Sequence, residues 1–124
     1  MVDIREYRGK TQYDNKWVYG YLVKKLSGFY IVYEDIYKGK KKRIESLVKE
    51  NTIGQFTGLK DMKKKKIYEG DSDGVRTIMY VNDYAGFVLW NCQKQKFEEL
   101  NCDIAFEKSF HLNIYDDNID TLIL

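Results

Sequence analysis

The sequence predicts a mainly β protein, folded as a barrel or roll with at most short helical turns. Apolar and polar residues alternate through several short segments, the signature of strands. Aromatic residues that favour strands are abundant, with 11 Tyr, 6 Phe and 2 Trp. Proline is absent, so turns must rely on Gly, Asn and Asp. Few windows hold a helical period over the roughly 12 residues that define a helix.

The elements follow in order. Residues Ile4 to Gly9 supply a first strand. Trp17, Tyr19, Tyr21 and Val23 share one face of the next, and Val18, Gly20 and Leu22 share the other. Both faces are apolar, which predicts a strand covered on both sides. Ser27-Gly28 is a turn pair, and Phe29 to Tyr33 completes a hairpin. Gly39 marks a turn that is predicted to include Lys40, Lys41, Lys42 and Arg43. Ile44 to Val48 is ambiguous between strand and helix. Val75 to Val81 alternates as a strand, Asn82, Asp83 and Gly86 bound a turn, and Phe87 to Trp90 is a short apolar strand. Asp103 to Ser109 predicts one or two helical turns, and Phe110, Leu112 and Ile114 share a face. The 124 residues suit one domain or one domain with an annex. An N-terminal β-hairpin subdomain is expected over residues 1–51, either on its own or packed into one core with residues 52–124.

The formal net charge of +2 excludes a wholly basic surface but leaves room for local basic patches. No apolar run approaches the roughly 20 residues of a membrane helix. MVDIREYRGK has no apolar core of a signal peptide, so the expected compartment is the cytoplasm, with Cys92 and Cys102 as reduced thiols. Two cysteines without nearby His cannot build a four-ligand zinc site from one chain. No metal and no cofactor are expected.

The window Thr52 to Asp71, TIGQFTGLKDMKKKKIYEGD, invites a phosphate-loop reading. The spacing is against it: three residues separate Gly54 from Gly58, and Asp61 follows Lys60 where a hydroxyl should bind magnesium. Calcium loops fail similarly. Counting from Asp71, the twelfth position is Asn82 rather than Glu, and from Asp116 the chain stops short. The one histidine, His111, points by alternation away from Phe110 and Leu112 and has no recognisable nucleophile motif beside it. No catalytic residue is expected. Two basic runs remain: Lys38, Lys40, Lys41, Lys42 and Arg43, then Lys60 and Lys63, Lys64, Lys65 and Lys66. On one exposed face such residues bind phosphate backbones, with Tyr37 and Tyr68 near enough to stack on bases. Such runs are more often solvated turns, and lysines also protect strand edges from pairing.

The motifs REYRGK, KWVYGYL, TIGQFTGLKD and IYEGD, in that order, resemble the YopX family of small proteins encoded by bacteriophages and integrated prophages. The resemblance covers most of the chain, and HLNIYDDN is similar to the family's closing strand and acidic tail, with Asn118 in the expected place. It implies an SH3-like barrel from about Thr52 onward, phage or prophage origin in a bacterial host, and self-association into a homo-oligomer. It implies no activity, only structural roles for Trp17, Gly20, Gly54, Phe56, Gly58, Asp61, Tyr68, Gly70 and Asp71. Gly54 and Gly58 would bracket a tight corner around Phe56, and Asp71 would cap the turn at Gly70. Three departures stand out. A turn glycine is missing where Met62 and Lys63 to Lys66 stand, so an L-residue must make the turn. Ser72-Asp73-Gly74 interrupts a strand, which predicts a bulge or widened loop. Ile119 replaces a common proline.

These readings lead to a non-enzymatic protein-interaction module that binds a host or phage protein, with exposed aromatics such as Tyr19, Tyr21 or Trp90 as anchors. The alternative is a nucleic-acid-binding accessory protein that uses the lysine-rich turns.

Overall fold

A computed structural model describes residues 6–115. The Ile4 end of the first expected strand, the acidic cluster from Asp116 to Asp120, Asn118 and Ile119 lie outside the described residues. The protein is mainly β, in two units, one running to Gln55 and the other starting at Phe56.

In the first unit, β1 (Tyr7–Lys10), β2 (Trp17–Lys25), β3 (Gly28–Tyr37) and β4 (Lys40–Val48) form an antiparallel meander. β2 changes partner midway. Trp17 to Gly20 pair with β1, and Tyr21 to Lys25 pair with β3. Gly20 makes the exchange possible, because a Cβ there would lie 2.1 Å from the Val32 carbonyl oxygen. The end of β4 returns to β1: Lys49 N–H donates to the Lys10 carbonyl at 2.8 Å and Gln12 N–H to the Leu47 carbonyl at 3.0 Å. Ile31 and Val48 are buried on one face of the β3–β4 pair, and Val32, the next residue of β3, is buried on the other. The segment Ile44 to Val48, ambiguous by pattern, is strand because it completes the meander.

The face of β2 that carries Tyr19 and Tyr21 is not covered as expected; these side chains are about half exposed, at 45% and 50%. Trp17 is shielded instead by cations, with the Arg8 guanidinium 4.6 Å and the Lys10 ammonium 5.4 Å from its ring. Gly54, buried, opens β5 (Gly54–Lys60), whose first residues pair with β1.

The second unit continues β5, paired with β6 (Lys66–Tyr68). Its five-stranded sheet runs β10-β9-β8-β7-β11, from β7 (Asp71–Ser72), β8 (Arg76–Val81), β9 (Gly86–Asn91), β10 (Lys96–Glu98) and β11 (Leu112–Asn113). In its core Ile67, Ile78, Leu89, Ala105 and Phe110 are buried together, with Leu59, Phe87, Leu100 and Ile104 packed against them. Ala105 comes from the short helix α1 (Cys102–Phe106). Its start is fixed by Asn101, whose side chain accepts the Ile104 N–H at 2.9 Å.

One local expectation is corrected here and another resolved. Gly54 and Gly58 do not bracket a corner. β5 is one strand across both, and the register with β6 shifts between Phe56 and Lys60, so Gly58, at φ +86°, marks a bulge. Of the bulge or widened loop expected at Ser72-Asp73-Gly74, the loop is found: Ser72 ends β7, and Asp73-Gly74-Val75 connect it to β8 as a hairpin. The Asp73 carboxylate accepts the N–H groups of Val75 and Arg76 at 2.9 and 2.7 Å.

Candidate nucleic-acid interface

The two basic runs have different structural fates. Lys40 to Arg43 are not turn residues: they are the first four residues of β4. β3 and β4 continue as a pair beyond their last neighbour, since the pairing of β2 with β3 ends at Tyr21↔Val32 while β3 and β4 stay in register from Phe29↔Val48 to Tyr37↔Lys40. Glu34 to Arg43 therefore form a two-stranded arm, exposed at every residue on both faces. Lys38-Gly39 turns it, with φ values of +52° and +77°. Positive φ at both central residues is the two-residue turn whose twist suits a hairpin.

The pairing explains why this sequence extends as a hairpin without a core. Glu34 stands opposite Arg43, and Asp35 opposite Lys42, each an opposite-charge pair across strands. Nearer the tip, Ile36 faces Lys41 and Tyr37 faces Lys40. Ile36 is 71% and Tyr37 61% exposed. The ammonium groups of Lys38 and Lys42 lie 5.4 and 5.5 Å from the Tyr37 ring. Five cations against two carboxylates leave the arm net positive, most strongly at its tip. At its base, Glu45 accepts from Lys25 at 2.5 Å and Arg43 at 3.3 Å. The hydrogen bond from Lys25, then the charges of Lys25 and Arg43, hold the Glu45 carboxyl below its ordinary range, against a partial opposing effect of burial.

The second run is organised by Asp61, which is buried. One carboxylate oxygen accepts the N–H groups of Lys63 and Lys65 at 2.9 and 3.0 Å, and the other accepts the N–H of Phe110 at 3.2 Å. The backbone closes around it, with Lys64 N–H on the Asp61 carbonyl at 2.9 Å. Lys64 takes φ +62° and thus fills the role of the missing turn glycine. Lys65 is committed to structure, since its ammonium donates to the Phe110 carbonyl at 3.2 Å. Lys66 lies 5.3 Å from the Phe56 ring. Lys60, Lys63 and Lys64 complete the run as exposed residues.

Tyr68 is unavailable for stacking on a base. It is buried, and Phe56 holds its ring at 5.5 Å. Its N–H donates to Asp71 at 2.8 Å, so Asp71 caps the turn through the residue three before it; Gly70 turns at φ +95°. Trp90 is half buried beneath the edge of Phe97, at 5.0 Å, and Phe97 meets Tyr84 at 6.0 Å. These rings, with Met79, form the apolar outer surface of the β8–β10 sheet.

His111 is exposed, with Nδ1 3.1 Å from the Ser109 carbonyl. A wide cleft of about 750 Å³ in the first unit is lined by Tyr13, Trp17, Tyr30, Tyr33, Glu45 and Ser46 among others, with no His or Cys. Among the described residues no group of three or more His, Cys, Asp or Glu is placed to hold a metal ion, and no helix is long and apolar enough to cross a membrane.

Sequence reasoning missed Glu34, Asp35 and Ile36 as parts of the site. The signal was present: charges of opposite sign stand at equal distances either side of Lys38-Gly39.

The fold and its site define a small two-unit β protein with a projecting basic hairpin. A family model described as YopX protein matches residues 6–118, nearly the whole chain, and the chain belongs to that family. No curated protein matches it.

Proposed function

We propose that the protein is a non-enzymatic binding module that contacts nucleic acid through the β3–β4 arm. The observation that carries this is the arm itself: ten residues outside any core, basic at the tip, with an exposed tyrosine between two lysines. Lysines on a strand edge discourage pairing with another strand, and the same charges favour a polyanion. The second run contributes less, because Lys65 is spent on the Phe110 carbonyl. The setting that goes with this reading is the cytoplasm of a bacterial host, as a phage or prophage product with an SH3-like barrel.

The test is a fluorescence titration of nuclease-treated protein against DNA and RNA across a range of salt. Micromolar binding that weakens with salt is expected, and serine at Lys40 and Lys41 lowers the logarithmic salt slope by about 0.9 for each lysine. Absence of binding at low salt overturns the reading.

A second reading, a protein-interaction module open to self-association, is favoured by the outer surface formed by Met79, Tyr84, Trp90 and Phe97. Aromatic side chains of this kind anchor protein interfaces. Phe97→Ala then weakens capture of a partner while leaving nucleic-acid titrations unchanged.

A further inference from the structure

We infer that the β3–β4 arm enters the major groove of double-stranded DNA and touches base edges with its tip, an inference that rests on the nucleic-acid reading and specifies its ligand.

The dimensions fit. The major groove of B-form DNA is about 12 Å wide and about 8.5 Å deep, and it admits a two-stranded β-ribbon. The arm is such a ribbon, with strands about 4.8 Å apart before side chains are added. From Glu34 to Lys38 it extends four steps, about 13 Å at the rise of a strand. That reach exceeds the depth of the groove. Asp35 lies about 10 Å behind the tip at the same rise. The two carboxylates therefore stay at or outside the rim, where Lys42 and Arg43 oppose them in register.

The chemistry at the tip suits bases better than phosphates alone. Phosphate tracking needs cations only. Here Ile36 is 71% exposed beside Lys41, and Tyr37 is 61% exposed beside Lys40. An exposed isoleucine gains nothing from water but can pack on a thymine methyl, and lysine can donate to guanine O6 and N7. The leading residue, Lys38, holds a left-handed φ of +52° where Asn or Gly is the ordinary choice. The turn thus places a cation foremost. Single strands have no groove, and the major groove of an RNA duplex is too narrow and deep to read.

The deciding experiment combines two measurements on full-length protein: dimethyl sulfate footprinting on duplex DNA at saturation, and affinities for DNA and RNA duplexes of one sequence. Dimethyl sulfate reacts with guanine N7 in the major groove and with adenine N3 in the minor groove, which serves as the internal control. Expected are protection of N7 with N3 still reactive, and a preference of about tenfold for the DNA duplex. Lys38→Ser with Lys41→Ser, and separately Ile36→Ser, should lose protection while circular dichroism stays unchanged. Binding with N7 unprotected and equal affinity for RNA overturns groove entry and leaves the nucleic-acid reading in place. Binding to single strands alone does the same. No binding to any nucleic acid overturns both.

Discussion

The carboxylate of Asp61 accepts a hydrogen bond from the backbone N–H of Phe110, 49 residues further along the chain. The same side chain holds the turn that follows it, so one buried acid ties the lysine loop to the strand-like segment beyond α1. A hydrogen bond to a charged group contributes about 1.5–3 kcal/mol, and leaving its buried partner unsatisfied costs a similar amount. Asp61→Ala is therefore expected to destabilise the second unit by about 3 kcal/mol or more. Urea unfolding checks the magnitude. Hydrogen exchange checks the cause, with faster exchange at Lys63, Lys65 and Phe110; unchanged exchange there would refute it.

Lys64 bears the opposite kind of effect. Its φ of +62° is costly for a residue with a Cβ and ordinary for glycine. Lys64→Gly should stabilise the protein by about 0.5–1 kcal/mol, the residual after glycine's extra unfolded-state entropy. A lower urea midpoint in the variant would contradict this.

Gly20 has no such freedom. A methyl group would lie 2.1 Å from the Val32 carbonyl oxygen, a backbone atom that cannot rotate away. Gly20→Ala should cost about 3 kcal/mol, at the upper end of ordinary overpacking. Thermal unfolding monitored by Trp17 in a Trp90→Phe background would report it, and an unchanged midpoint would refute it.

The acid stability of the second unit depends partly on Glu98. Its carboxylate accepts from Arg76 Nε at 2.7 Å and from Asn91 Nδ2 at 3.3 Å. The Arg76 hydrogen bond, against partial burial, lowers its folded pKa below the ordinary range, and Asn91 adds to this. The unfolded chain, titrating near about 4.3, then binds more protons through this window. The stabilisation is fully present above that unfolded value and is lost as pH falls through the folded one. Glu98→Gln should flatten this part of the stability curve and leave its slope near neutrality unaltered. An unchanged acid limb would remove Glu98 from the account.

Much of the strand pattern was legible because burial on one side writes a period of two into the chain. The alternating stretch Val75 to Val81 contains β8, although Thr77 is buried beside Ile78, and Phe87 to Trp90 fall within β9. The arm gave no such pattern for the converse reason: with both faces in water, Glu34 to Arg43 carry no alternation of polarity, the lysines resemble a loop, and only the mirrored charges about Lys38-Gly39 mark the pairing. The Asp73–Arg76–Glu98–Asn91 cluster was hidden by sequence distance, since Arg76 meets a carboxylate 22 residues away. The fold motifs around Asp61 and Asp71 were visible as short words, but not the backbone amides that those acids would bind.

No residue from Glu34 to Arg43 belongs to either buried core. The residues that make the cores and the residues that make the arm are thereby separate parts of the chain. The tip can change length, charge or side chains with little penalty to the rest of the molecule, so this surface can vary without the fold first having to be rescued.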